Sequence, residues 1–354
     1  MDEPGSTEAA TIGPMTGRLY ERWSLLAGAR FLLASIVLLT HLKLFAATSG
    51  VVEFIGGAAF QAIAGFLLIS GYSIGSSYKS RRAGFYIRRV ERIYPAYIGA
   101  IGLAVAAYGW PGASVFAINL LFMNQLLTSQ SFLGPAWSLS LEVWLYALTP
   151  LLALANGRLI WALALASFGA YIVYLPLITL MHLPSFSGLG YGLNLIMLSH
   201  FWLLGFIVAT QPKPRRSCAI IAGLLVAGIG LACAIQFGSR FKNDRLSDFF
   251  LIDTPSFVWQ ACVLAFVVAL LWLIAADKLP ARKSSLLAWM GDISYPLYLV
   301  HVPVFVIFSG AGLASAMALT VATYAVAAGV MFVMEYPIRQ MRGALRPRAI
   351  AGAQ

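Results

Sequence analysis

"RFLLASIVLLTH", Arg30 to His41, sets a guanidinium and an imidazole at the two ends of ten residues that are otherwise apolar or small. A run of this kind reads as part of a membrane-spanning helix, and the apolar stretch continues on both sides of it. Eleven residues at about 100° each carry His41 roughly 20° past three full turns from Arg30, so both side chains share one face, about 16 Å apart along the axis. That face has to point into protein, because an ionisable group facing hydrocarbon is costly. An arginine reaching back to headgroups and a histidine satisfied in the core is the bland account of the pair; a functional site is the sharper one.

The remainder of the chain has the same character. Of its 354 residues 60% are hydrophobic and 10% charged, and the mean hydropathy is +0.83, which excludes an ordinary soluble domain. Runs near the ~20 residues that a spanning helix needs recur from about residue 25 to about residue 336. The expected class is therefore all-α: a polytopic integral membrane protein of about ten transmembrane helices. Its expected organisation is an N-terminal cytoplasmic segment, 1–24, a transmembrane domain, 25–340, and a basic cytoplasmic tail, 341–354. The first apolar run is too long for a cleaved signal and reads as a retained helix. Cys218, Cys233 and Cys262 lack paired spacing, and the four histidines are far apart in sequence, so neither a disulfide framework nor a metal site is expected.

Candidate spans fall at about 26–46, 56–77, 95–110, 136–155, 159–180, 191–210, 218–237, 257–275, 286–308 and 313–335. Four stretches rich in Lys and Arg, "YKSRRAGFYIRRVERIYP" (78–95), "QPKPRR" (211–216), "DKLPARK" (277–283) and "RQMRGALRPR" (339–348), all fall where an even number of crossings returns the chain to the N-terminal side. Positively charged loops resist translocation, so that side is expected to be cytoplasmic, with both termini on it. The stretch 114–132 would upset this count as an eleventh span; its Asn119, Asn124 and Gln125 favour a re-entrant or interfacial segment instead. The net charge of +11 reads as this bias plus attraction to anionic lipid, with no indication of nucleic-acid binding.

Three further groups of polar residues interrupt apolar sequence. In "PAWSLSLEVWLYALTP" (135–150), Glu142 needs a partner, and a carboxylate beside an imidazole is an ordinary way to make histidine a competent base. Trp137 and Trp144 also read as interfacial anchors. Arg88, Arg89 and Arg92 are clustered, the last two a helical turn apart, so they could fork onto one phosphate group, although positive-inside bias alone also explains charge here. In "WMGDISYPLYLVHVPVF" (289–305), Ser294, Tyr298 and His301 follow one helix face and Pro296 is expected to kink the helix. His182 and His200 are set aside, the latter as a packed core histidine.

In this order the motifs resemble the membrane acyltransferase-3 family. "RFLLASIVLLTH" carries R-x10-H, "LLISGYSI" is similar to the S-G-F/Y signature, and "RRVER" supplies R-x-x-R before "IYPAY". "WSLSLEVWLY" resembles W-S-L-x-x-E, and "GDISYPLYLVH" with "EYPIR" resembles the closing pair. The resemblance runs from about residue 25 to about residue 340. It departs in "GFLLISG", which lacks the paired phenylalanines found in many members, and in having no appended esterase-like domain after the last helix.

The resemblance implies a bacterial cytoplasmic-membrane enzyme that moves an acyl group, most often acetyl, from cytoplasmic acyl-CoA to a hydroxyl of a cell-surface or lipid-linked carbohydrate, without a metal. Arg88, Arg89 and Arg92 would then hold the donor nucleotide. His41, held by Glu142 or a similar acid, would act as general base or acyl carrier, and Arg30 would stabilise the oxyanion or the donor phosphates. Trp137, Ser138, Ser294, Tyr295, Tyr298 and His301 are assigned to substrate binding. A transporter or flippase for a lipid-linked glycan is the competing class; it should show repeat symmetry or paired broken helices.

Overall fold

The computed structural model describes residues 15–276, 284–338 and 340. The expected loop 277–283 and the tail 341–354 lie outside the described residues, as does the segment before Met15. Among the described residues thirteen α-helices occur in chain order: α1 Met15–Leu42, α2 Gly50–Gly56, α3 Ala59–Ser80, α4 Phe85–Tyr108, α5 Ala113–Leu120, α6 Trp137–Leu154, α7 Gly157–Leu180, α8 Leu193–Thr210, α9 Pro214–Lys242, the single turn α10 Leu246–Asp248, α11 Thr254–Ala275, α12 Ser285–Gly310 and α13 Ala316–Val330. Among the described residues there is no strand. Among the described residues ten segments are long and apolar enough to cross a membrane, each overlapping one of the ten spans expected from sequence. The protein is an all-α multi-pass bundle.

Helix ends differ from the sequence expectation where polar residues continue a helix beyond its apolar part. Helix α1 begins at Met15, inside the expected N-terminal segment, and α4 begins at Phe85, ten residues before the expected span, with Pro95 inside it. Arg88, Arg89 and Arg92 therefore ride on helix rather than loop. The stretch 238–256, between the expected seventh and eighth spans, is mostly helix too, and Arg240 ties it together through Asp253 at 2.7 Å and Asp248 at 3.3 Å.

Residues 114–132 do not cross. Helix α5 ends at Leu120 and gives way to turns, and the buried amides that argued against a span explain how the segment is held. Asn119 Oδ1 accepts from the Phe132 amide at 2.9 Å, its carbonyl accepts from the Tyr97 hydroxyl at 2.8 Å, and Asn194 Nδ2 donates to Gln125 Oε1 at 2.6 Å. The Asn119 side chain and the Gln125 Oε1 are thus paired away from water, while the buried Asn194 Oδ1 has no partner. Phe122, at φ 56°, stacks on Tyr97 and turns its carbonyl to accept from Ser140 and, at 3.0 Å, from Trp144 Nε1.

The bundle is drawn together where small residues let helix backbones meet, the usual device where lipid removes the hydrophobic incentive for association. Helices α3 and α8 cross at Gly71 and Gly205. A Cβ on Gly71 would fall within the van der Waals shell of the Trp202 carbonyl oxygen, and one on Gly205 within that of Leu68. Helix α12 packs along both α1 and α4. This places polar residues of α1, α3, α4, α6 and α12 around a common space.

Candidate active site

That space is a cavity of about 540 Å³, within the range of small-molecule sites. Ser80, Arg81 and Arg88 line one end, and Arg89 and Arg92 follow. Arg30, Ser73, Glu142 and Tyr146 come next, with Phe66, Ser138 and Tyr298 at the other end. From Ser80 to Phe66 along α3 the distance is roughly 20 Å at ~1.5 Å per residue.

The arginines hold different positions. Arg88 turns back on its own helix start, donating to the carbonyls of Ala83 and, at 2.6 Å, Arg81. Arg88 thus spends two donors on closing the turn before α4 while still lining the cavity beside Arg89 and Arg92. Arg89 lies over the Phe85 ring at 5.6 Å and donates to Ser77 Oγ at 3.0 Å, while its buried Nε has no hydrogen-bond partner. A guanidinium has five N–H donors, and Arg89 lines the cavity wall, where a guanidinium suits an anion. Arg30 donates to Ser73 Oγ at 2.7 Å, and Ser73 in turn donates to Ile69 O at 2.7 Å.

Glu142 does not hold His41. Its Oε1 accepts from Ser70 Oγ and Tyr146 OH, whose two oxygens lie 2.9 Å apart. The carboxylate thus sits in the same wall as Arg30 and Arg89, where its charge offsets theirs. Sequence reasoning missed Ser70, Ser73, Ser77 and Tyr146. A signal was present, since the serines recur on one face of α3 and Tyr146 follows Glu142 by one helical turn.

His41 instead meets His301. Nε2 of His301 lies 3.4 Å from Nδ1 of His41, with ring centroids 5.2 Å apart. His41 Nδ1 also lies 2.8 Å from Val37 O, and His301 Nδ1 lies 3.3 Å from Leu297 O. Neither ring is among the residues that line the cavity. The pair is reached through Tyr298, one helical turn before His301, whose ring centroid lies 6.2 Å from that imidazole. Tyr298 donates its hydroxyl proton to Pro135 O, so Ser138 Oγ donates to Tyr298 at 2.8 Å.

The remaining expected residues divide. Ser294 and Tyr295 line the cavity, but Ser294 donates to Gly291 O at 2.7 Å and Tyr295 to Ile93 O at 3.1 Å, the latter fastening α12 to α4. Trp137 is 5% exposed and is not a lining residue, and His301 is wholly buried. A direct acceptor contact by either is therefore not offered in this conformation. His200 packs at 4.0 Å between ring centroids on Phe201 and its amide donates to Ser167 Oγ, as a core histidine does. Among the described residues no cluster of His, Cys, Asp and Glu could hold a metal ion.

An all-α membrane bundle with an arginine-mouthed cavity ending beside a histidine pair suits transfer of a group from an anionic donor. Comparison with known proteins gives the class. Residues 25–337 match the family described as Acyltransferase domain, Acyl_transf_3, and the chain belongs to that family. It is similar to "Putative acetyltransferase ORF330" of Acidianus two-tailed virus, with 24% identity over 310 residues, 84% of this chain and 83% of the viral protein. No solved structure matches. The protein is thus a membrane acyltransferase, with every cavity-lining residue named above inside the matched region.

Proposed function

We propose that the protein transfers an acyl group, in first place acetyl, from acyl-CoA to a hydroxyl of a cell-surface or lipid-linked carbohydrate. The observation that carries this reading is the cavity itself, which opens among Arg81, Arg88, Arg89 and Arg92 and ends at Tyr298, beside the His41–His301 pair. Positive-inside bias supports a cytoplasmic arginine end, where acyl-CoA is available, and the membrane in this reading is a bacterial inner membrane. Arg89 and Arg92 bind the donor phosphates, and the thin pantetheine arm fits a passage roughly 20 Å long. Arg30, beyond them, faces the charge that develops on the thioester oxygen.

The step itself balances simply. His41 takes the proton of the acceptor hydroxyl as its oxygen bonds to the thioester carbonyl carbon, the C–S bond breaks, and the leaving thiolate takes that proton. An acyl-histidine route uses the same nitrogen as nucleophile, with the acceptor attacking second. In either route Tyr298 has to swing aside for the thioester to reach His41.

The test uses membranes with equal amounts of wild-type protein and His41→Ala, incubated with labelled acetyl-CoA and assayed for ester-linked label in carbohydrate. Label in the wild type with a loss of at least ~100-fold in the variant is expected. Undiminished label in His41→Ala would remove His41 from the chemistry; no label from acyl-CoA in the wild type would remove the proposed donor.

A further inference from the structure

We infer that His301 is the positioning residue of His41: it accepts from His41 Nδ1–H, so that the lone pair used on the substrate is that of His41 Nε2. The inference rests on the reading of His41 as base or nucleophile. It departs from the sequence assignment of His301 to substrate contact.

The tautomers follow from partners that can only accept. Val37 O lies 2.8 Å from His41 Nδ1, and a carbonyl oxygen has no proton to give, so Nδ1 carries hydrogen and points it between Val37 O and His301. Leu297 O does the same at 3.3 Å for His301 Nδ1, which leaves His301 Nε2 with a lone pair aimed at the hydrogen of His41 Nδ1, 3.4 Å between nitrogens. Each ring is thereby set by the carbonyl one turn earlier in its own helix. His41 Nε2 is left as the basic nitrogen.

His301 then occupies the place that a carboxylate holds in a catalytic triad. It receives the hydrogen on the far side of the imidazole, fixes the ring plane and stabilises the cation formed when Nε2 takes a proton. A neutral imidazole can do this without an unpaired carboxylate in a wholly buried position, which would be costly in the membrane. The glutamate that sequence order nominated is occupied elsewhere by Ser70 and Tyr146.

The experiment compares His301→Phe, which keeps a ring of similar bulk without an acceptor, with His301→Gln, whose Oε1 can accept from His41 Nδ1–H. Both are purified in detergent beside wild type and His41→Ala, and each is admitted to the comparison when it elutes as a single species with a melting midpoint near wild type. His301→Phe should lose roughly 10- to 100-fold in kcat with KM for the acyl-CoA donor within about 2-fold. His301→Gln should recover at least about 10-fold over Phe. A His301→Phe enzyme with wild-type kcat overturns the inference, as does a folded His301→Gln no faster than Phe. If both substitutions destroy the folded species, His301 holds structure and the positioning role also falls. Full activity in His41→Ala would instead overturn the reading beneath it, so the two failures are distinguishable.

Discussion

Arg30 on α1 and Ser73 on α3 are joined by a 2.7 Å hydrogen bond in the wall of the cavity. The bond spends one of five donors and holds the guanidinium across the path from the arginine mouth to Tyr298. Its charge and its tether can be separated. Ser73→Ala keeps the charge and loses the tether, and a loss of a few-fold in kcat is expected, with about 1 kcal/mol of stability. Arg30→Ala removes the charge and should cost roughly 100-fold or more in kcat. Arg30→Lys should fall between them, because an ammonium restores charge without the planar fork. Steady-state rates with labelled acetyl-CoA check the order, and equal losses for Ser73→Ala and Arg30→Ala would show that the tether alone mattered.

Arg89 makes a different prediction, because its guanidinium lines the arginine end of the cavity. A charge-assisted hydrogen bond to phosphate is worth about 1.5–3 kcal/mol, roughly 10- to 100-fold. Arg89→Ala should raise KM for acetyl-CoA by that factor and leave kcat within a few-fold. With acetyl-pantetheine, which lacks the nucleotide phosphates, wild type and variant should converge. A KM effect of the same size on both donors would mean that Arg89 shapes the cavity and does not read the phosphates.

Much of this arrangement was legible in the chain. The ten spans follow from apolar length, and the failure of 114–132 to cross follows from Asn119, Asn124 and Gln125, whose amides need partners that lipid cannot give. Residues on one helix are ordered by its period, so Ser138, Glu142 and Tyr146 could be placed relative to one another. Partners across helices could not. The sequence offers Glu142 or a similar acid as the companion of His41 and assigns His301 to substrate, and only the rotation of α6 and α12 about their axes decides which side chain His41 meets. For α12 that rotation is set by close approaches such as Gly291 against Ala27 of α1 and by bonds such as Tyr295 to Ile93, neither of which a single sequence displays as a distance.

The S-G pair in "LLISGYSI" has two separable physical roles. Ser70 donates to Glu142, while Gly71 brings α3 against the Trp202 carbonyl. Gly71→Ala places a methyl where backbone already stands, so the helices have to part, at a cost on the order of 3 kcal/mol. The expected readout is a melting midpoint in detergent lowered by several degrees, with reduced recovery of folded protein. Gly102→Ala on α4 is the control, since its added Cβ meets open space and alanine favours helix by about 1 kcal/mol. Equal melting midpoints for the two variants would remove Gly71 as the point where α3 and α8 are locked.

Tyr298 lines the cavity with its ring 6.2 Å from that of His301, a position suited to a partition between the cavity and the histidine pair, and its hydroxyl is fixed by both Pro135 and Ser138. A closed partition of this kind keeps water from a thioester until an acceptor is present. Tyr298→Phe keeps the ring and loses the two bonds, so the partition remains but opens more readily, and transfer should stay within a few-fold of wild type. Tyr298→Ala removes the ring, at a packing cost of about 3–5 kcal/mol, and joins the two compartments permanently. Release of free CoA without acceptor should then rise at least several-fold relative to ester formed, measured by thiol titration against carbohydrate-bound label. If the alanine variant elutes as a single folded species and its thiol release stays coupled to transfer, Tyr298 is packing alone and water is excluded elsewhere.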